Sequence, residues 1–527
     1  MTMHHALEIS ELIQTICDHL DPIADELDLS HASAPALQRH TVSRRALTAL
    51  ARTCRMFHQP AIAVLWRSQN SLHPSLRLMP DGLLACSDDT HFWTLLRPLR
   101  PSDWERPVIY TARVKVICVS SSRLHRGLWG ILPALGSQCP GGHLFPNLSS
   151  FTWNPIFRAV GSLPALLPPT LTTISIVCEP SNTNIFLLSM IPTSCPNLKH
   201  VSITLRPEDV TTGHIADMAI SLVVRRLEGL ESLTMGVPTV MALLHLAGLF
   251  KLTSLRLLGL PMELFASSPI SPLPIPPPIF SQLSKLVLGP MEVGSVTKFL
   301  TLLSDTPFTM LDFTLESYIS VAEMDSFLRQ LQRATRNDSL EGFILRNVAS
   351  GMLEAEVQHY RMAGHSLSFL ACFVNLRILN IAWAAGFEFN DGCMAEVAAA
   401  WPRLETLELQ SSVLVARPKM TLMALHFLAQ HCPQLAVLRV EFDAASIPPS
   451  CSHLSQAQLT YLEVGTSPIA SASSVSRYLS DLFPNLTAIM TDRDLYSVVE
   501  PEEIAQSPPA IERDRLWKQV EMELISN

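Results

Sequence analysis

Charge is scarce in this sequence: only 16% of the 527 residues are Asp, Glu, Lys or Arg, and no dense run of Lys or Arg occurs. Binding to a phosphate backbone rests chiefly on such cations. With a formal net charge of −9, no nucleic-acid partner is expected. Long apolar runs are missing too. The longest nearly unbroken one, Thr239 to Phe250, contains His245 and ends at Lys251, short of the roughly 20 residues that span a bilayer. No membrane association is expected. The opening Met1-Thr2-Met3-His4-His5 meets Glu8 and Glu11 at once, without the basic and apolar regions of a signal peptide, so a cytoplasmic or nuclear location is expected. The eleven cysteines form no CxxC pair, which fits reduced thiols better than a disulfide framework.

Catalytic signatures are equally absent. There is no GxGxxG, no GxxxxGK followed by Ser or Thr, no GxSxG and no HExxH, so dinucleotide, P-loop, hydrolase and zincin chemistries have no foothold. No enzyme and no cofactor are expected. His426, His431, Cys432, Cys451 and His453 lie within one stretch and could suggest zinc. However, Cys432-Pro433 occupies the place that Cys195-Pro196 and Trp401-Pro402 hold elsewhere, which marks a repeated structural position rather than a metal ligand.

What the chain does have is 48% hydrophobic residues, distributed in a recurring pattern. Chance predicts about two matches to Pro-x-Leu-x-x-Φ-x-Φ, with Φ apolar. Five occur: Pro146-Asn-Leu148 to Trp153, Pro169-Thr-Leu171 to Ile176, Pro196-Asn-Leu198 to Ile203, Pro402-Arg-Leu404 to Leu409 and Pro433-Gln-Leu435 to Val440. A sixth, Pro484-Asn-Leu486 to Ile489, breaks at Thr491. Weaker copies begin at Leu230, Leu252, Leu283, Phe308, Leu340, Leu376 and Leu459, giving starts every 22 to 36 residues. Each copy predicts a short strand with alternate residues inward, followed by a helical stretch. Units of this kind stack as a leucine-rich-repeat solenoid with an inner parallel sheet and outer helices. Residues 261–279 carry Pro261, Pro269, Pro272, Pro274, Pro276, Pro277 and Pro278 and predict an extended surface loop. Residues 511–527 predict a capping helix with Ile511, Leu516, Val520 and Leu524 near one face and Trp517 beside them.

Ahead of the repeats, Ile9, Leu12, Ile13, Ile16 and Leu20 form an apolar helical stripe. Further helical stretches follow at Ala46 to Phe57 and Ala61 to Trp66. Three short helices in about 65 residues bury little surface on their own. Ile9-Ser-Glu-Leu12 with Ile16 and Leu20, then Leu50-Ala-Arg-Thr-Cys54-Arg-Met-Phe57, then Leu65-Trp66, resembles the F-box of basidiomycete proteins. Leu72-His-Pro74-Ser-Leu76 and the segment from Asp103-Trp104 to Val114 resemble the linker of those proteins.

The expected fold class is thus α/β: an F-box-like helical module over 1–70, a helical linker over 71–140, irregular leucine-rich repeats over 141–510 and a cap over 511–527. The resemblance implies the substrate-recognition subunit of an SCF-type ubiquitin ligase. It implies docking of a Skp-type adaptor, and through it a cullin, by Ile9, Leu12, Ile13, Ile16 and Leu20, with Leu50, Phe57, Leu65 and Trp66 supporting or joining them. The alternative is a repeat scaffold acting outside any ligase.

Strand alternation places Arg256, Lys285, Asp312, Arg346, Asn380, Glu408, Gln410, Arg439, Glu441, Tyr461 and Glu463 on the face opposite the buried leucines. Arg346, Glu408, Arg439, Glu441, Tyr461 and Glu463 are the candidate contacts to a protein substrate. Arg439 and Tyr461 are the expected anchors, because Arg and Tyr dominate interface hot spots.

Overall fold

At four of the six repeat prolines, the residue before the proline is where a helix stops. The proline ring bars its predecessor from helical angles, and Cys195, Trp401, Cys432 and Phe483 close their helices at φ between −114° and −131° and ψ between 65° and 78°. All four side chains are buried. The Asn of each Pro-Asn-Leu then reaches back one repeat: Asn147, Asn197 and Asn485 donate to the carbonyls of Ala112, Pro169 and Ala457 at 2.8, 3.1 and 2.7 Å. In the copy without proline, Asn375 donates likewise to Asp338 at 2.7 Å. The following Leu is buried every time.

The computed structural model describes residues 10–20, 34–86, 93–119, 131–154, 163–179, 181–205, 210–261, 279–349, 357–411, 418–448, 454–491 and 508–526. The chain divides into two units, Met1–Lys251 and Leu252–Asn527. Apart from its end residues, the proline-rich segment lies outside the described residues. No helix among the described residues is long and apolar enough to cross a membrane.

The first unit opens with three helices, α1 (Ser10–His19), α2 (Ala34–Ala51) and α3 (Arg55–Arg67). Its sheet runs in chain order through β1 (Ser68–Gln69), β2 (Val116–Val119), β3 (Ser150–Trp153), β4 (Thr173–Cys178), β5 (His200–Leu205) and β6 (Ser232–Met235), every neighbour parallel. The sheet therefore begins earlier than residue 141, the expected start of the repeats. Val114, Ile117 and Val119 are all buried and repeat the same frame with β-branched residues in place of leucine. A further helix, α4 (Glu105–Thr111), sits in the linker.

The second unit continues the design with β7 (Ser254–Leu257), β8 (Lys285–Met291), β9 (Met310–Leu315), β10 (Gly342–Asn347), β11 (Ile378–Trp383), β12 (Thr406–Ser411), β13 (Val437–Arg439), β14 (Tyr461–Gly465) and β15 (Ala488–Thr491), again parallel and in order. Helices return the chain between strands. The clearest is α5 (Val321–Ala334), where Ser320 and Glu323 form a capping box and Met324, Phe327, Leu328 and Leu331 make the buried stripe.

A second backbone device fixes the register. The carbonyl of Lys115 accepts from both Ser149 N and Ser150 N, at 2.8 and 3.0 Å. The same doubled acceptance recurs at Ser149, Thr172 and Lys199 in the first unit, and at Thr253, Ser284, Thr309, Glu341, Arg377 and Glu405 in the second. Each repeat thus approaches its strand in the same geometry as the last. Parallel strands in sequence order, helical returns and invariantly buried repeat leucines define a leucine-rich-repeat fold.

The C-terminal helix α7 (Pro508–Ser526) packs on α6 (Ala472–Leu482) in the second unit. Its buried face is Trp517 and Val520, whereas Ile511 is exposed and Leu516 and Leu524 are half-buried, which narrows the expected stripe. Trp517 dominates because its indole N–H has a buried acceptor, the Ser467 carbonyl at 2.9 Å.

Candidate binding surfaces

Within the N-terminal helices, Ile13 and Cys17 of α1 meet Leu47, Ala51, Ala61 and Val64, while Leu20, Leu50, Phe57 and Leu65 pack half-buried against that cluster. Arg67 pairs with Asp18 and ties α3 to α1. Trp66 lies tilted against Tyr110 of α4, ring centroids 5.1 Å apart.

The apolar stripe read from the sequence therefore splits. Ile13, expected among the adaptor contacts, is only 1% exposed, because three small helices need the inner edge of α1 to make a core at all. Leu12 and Ile16 point the other way, at 43% and 42% exposure. Their i, i+4 spacing sets them side by side on one face, and Met56 at the start of α3 is exposed as well. Ile9 lies outside the described residues.

The second surface is the sheet of the second unit. Leu311, Phe313 and Leu315 in β9, and Leu379, Ile381 and Trp383 in β11, are buried, and the residues between them stay at least partly open. Paired register lines up Arg256, Val287, Asp312, Ile344, Asn380, Glu408, Arg439 and Glu463 across eight adjacent strands.

The substrate candidates are joined to one another on this face. Asn380 Nδ2 donates to Glu408 Oε2 at 2.6 Å, and Gln410 Nε2 donates to the same oxygen at 3.1 Å. Arg439 Nη1 stands 3.8 Å from Glu408 Oε2, while its Nε pairs with Glu463. The Tyr461 hydroxyl donates to Glu463 Oε2 at 3.1 Å. Glu441 accepts from Thr466 N and Oγ1 at 3.0 and 2.6 Å. Further along, Arg346 pairs with Asp312 at 2.6 Å.

Glu463, expected to be open, is 4% exposed. The parity of the strand is as expected, but the Tyr461 and Arg439 side chains close over the carboxylate. Burial pushes its pKa up, opposed by the Arg439 charge and the Tyr461 hydrogen bond. Burial also pushes the Tyr461 hydroxyl up, reinforced by the Glu463 charge. The two expected anchors are thus engaged within the chain.

Arg256 and Lys285 are exposed cations on neighbouring strands, and among the described residues no carboxylate pairs with either. Sequence reading placed both on the open face without giving them a role. It passed over Met310, Ile344 and Ile378, which also belong to the open face, because only polar alternates stand out against an apolar background.

Cys432 is buried, its thiol 3.7 Å from the Ala398 carbonyl, and burial pushes its pKa up to about 12. Cys195 is placed alike, 3.4 Å from the Pro168 carbonyl and also pushed up to about 12. In the same slot the Trp401 indole donates to Leu370 O at 3.2 Å. The shared role is to seat a side chain under the preceding repeat. Cys451 and His453 lie outside the described residues. Among the described residues no group of three His, Cys, Asp or Glu side chains is placed to hold a metal ion.

These two surfaces belong to a leucine-rich-repeat chain that begins with a small helical module. No family model and no curated protein matches the sequence. Among solved structures, the chain is similar to the Rad7 and Elc1 complex of yeast, at 13% identity and a TM-score of 0.34 over 95% of this chain and 92% of that one. It is also similar to the leucine-rich repeat-containing protein LegL7 of Legionella pneumophila, at 13% identity and a TM-score of 0.27 over 74% and 94%. At such scores the fold assignment rests on the strand order and register themselves.

Proposed function

We propose that this chain is the substrate receptor of an SCF-type ubiquitin ligase, acting by holding two proteins together rather than by making or breaking bonds. The N-terminal helices dock a Skp-type adaptor, and through it a cullin, while the repeat sheet holds a protein substrate. The mechanism is proximity, which raises the local concentration of substrate lysines near the conjugating enzyme. Its setting is the cytoplasm or nucleus.

The observation that carries the reading is the pair Leu12 and Ile16. They are large, apolar, adjacent and exposed on a helix whose opposite edge already forms the module's core. Contiguous exposed apolar side chains are the material of interaction faces, and here they fall in the segment that carries the F-box resemblance. The F-box resemblance of the sequence implies adaptor contacts at these two positions.

Co-purification with a fungal Skp-type adaptor tests it. The intact chain is expected to form a stoichiometric complex, and L12D/I16D to lose it. Burying the exposed two-fifths of both side chains is worth about 1–2.5 kcal/mol, and a carboxylate at each position adds the cost of removing a charge from water, so affinity should fall by roughly a hundredfold. Because both residues are exposed, the variant should keep the circular dichroism spectrum and melting point of the parent. If the intact chain fails to bind, the scaffold reading takes over. If the variant binds as well as the parent, α1 is not the dock.

A further inference from the structure

The open face of the second unit's sheet changes sign along its length. On β7 and β8 stand Arg256 and Lys285, exposed and without a carboxylate partner among the described residues. On β12 and just after β13 stand Glu408 and Glu441, with Glu463 of β14 buried behind Tyr461 and Arg439, and Arg439 is the opposing charge on these strands among the described residues. Between the two ends, Asp312 and Arg346 cancel each other in an ion pair, and the remaining open positions are largely apolar: Met310, Ile344 and Ile378. Gly342 lies between Met310 and Ile378 in register. A Cβ there would sit 2.2 Å from Met310 Sδ, so the Met310 side chain lies across the gap and extends the apolar middle.

We propose that this face takes one extended segment of a partner protein, with an acidic residue over Arg256 and Lys285, apolar residues over Met310, Ile344 and Ile378, and a basic residue over Glu408 and Glu441. The proposal rests on the reading of the repeat sheet as the substrate surface, and is independent of adaptor docking by α1. From β7 to β12 is five strand spacings, or about 24 Å, which an extended peptide covers in about seven residues. The segment therefore carries its acid and base about seven positions apart. Charges of opposite sign at the two ends also fix its direction, since the reversed peptide would set like charges against each other at both ends.

The experiment is selection of a phage-displayed library of random 16-residue peptides on the intact chain and, in parallel, on R256E/K285E. The intact chain is expected to enrich peptides with Asp or Glu separated from Lys or Arg by about seven residues. A synthetic peptide from that pool should bind R256E/K285E about fivefold to thirtyfold more weakly at low salt. Replacing its acidic residue by Lys should restore binding to the variant. Three outcomes overturn the proposal: no enrichment, a pool without charge segregation, or the same pool from both chains. Tighter binding of a 20-nucleotide oligo-dT that R256E/K285E loses would also overturn it, because the cations would then serve phosphates. Adaptor co-purification of R256E/K285E, run on the same preparation, separates this result from that of the receptor reading. Failure of the intact chain to select charge-segregated peptides while it still captures the adaptor refutes only the bipolar face, and failure of the intact chain to capture the adaptor while it selects such peptides refutes only the docking of α1.

Discussion

Asp103 shows how much a single buried carboxylate can matter in the linker. Arg97 grips it with Nη1 and Nη2 at 2.8 and 2.7 Å, and the Arg100 backbone N–H adds a bond at 2.8 Å. These donors, Arg97 foremost, hold the carboxyl at about 2 against an ordinary value of 3.8. A folded-state value below the unfolded one means stability that is present above the ordinary value and lost as pH falls through the folded one. D103N should therefore melt below the parent at neutral pH, and the gap should close between about pH 4 and pH 2. Melting curves of both proteins across that window check it, and a gap unchanged at pH 2 would mean that the charge is not its source. Glu463 runs the opposite way, since burial raises its value, so its charged form costs stability as pH rises through that value. The sequence could place Asp103 and Glu463 on their elements, but not their partners, because Arg97 and Arg439 gain their roles only from turns and register.

At the scale of elements, the repeat motif is legible because each of its residues has a separate physical role. Proline ends the helix in four copies, Asn ties back to the previous turn, and Leu fills the core. Of these, only the Asn role is hidden in the sequence, since an exposed amide has no pattern of its own. The break of the sixth motif at Thr491 has its cause in the C-terminal helix. Thr491 occupies an inward position, and its hydroxyl donates to Asp514 Oδ1 at 2.5 Å. The same helix covers β15 beyond that point: Glu521 Oε1 accepts from Ile489 N at 3.0 Å, and Lys518 Nζ donates to Ile489 O at 3.3 Å. Uncovered strand edges invite pairing with other chains, so α7 supplies side-chain partners where a next strand would supply backbone. W517A removes the fully buried anchor of that helix and should cost about 3–5 kcal/mol, read from urea denaturation. Light scattering should rise as the edge of β15 opens, and a loss under about 1 kcal/mol would mean that Trp517 is not what holds the cap. A helix here is readable from the apolar spacing, but its buried face is not, because Ile511 and Leu516 score as well as Trp517 on hydrophobicity, and only the packing of the helix on its neighbours decides which of them is buried.

For the whole molecule, the informative contrast is between how apolar surface is used at its two candidate surfaces. In the N-terminal module the candidate contacts Leu12 and Ile16 are apolar, so binding through them should respond weakly to salt. On the sheet of the second unit the unpaired groups are charged, and attraction between exposed charges is screened over about 8 Å at physiological ionic strength. Adaptor capture should therefore persist in about 0.5 M salt, while capture of the selected peptide should weaken severalfold. The two should also separate by mutation. L12D/I16D leaves every residue of the sheet face in place, so it should lose the adaptor and hold the peptide with unchanged affinity. R256E/K285E should do the reverse. Measuring both ligands against both variants at two salt concentrations distinguishes every combination of outcomes. A variant that loses both ligands while keeping its melting point would mean that the surfaces are coupled, and a receptor built from two independent contacts would then be the wrong description.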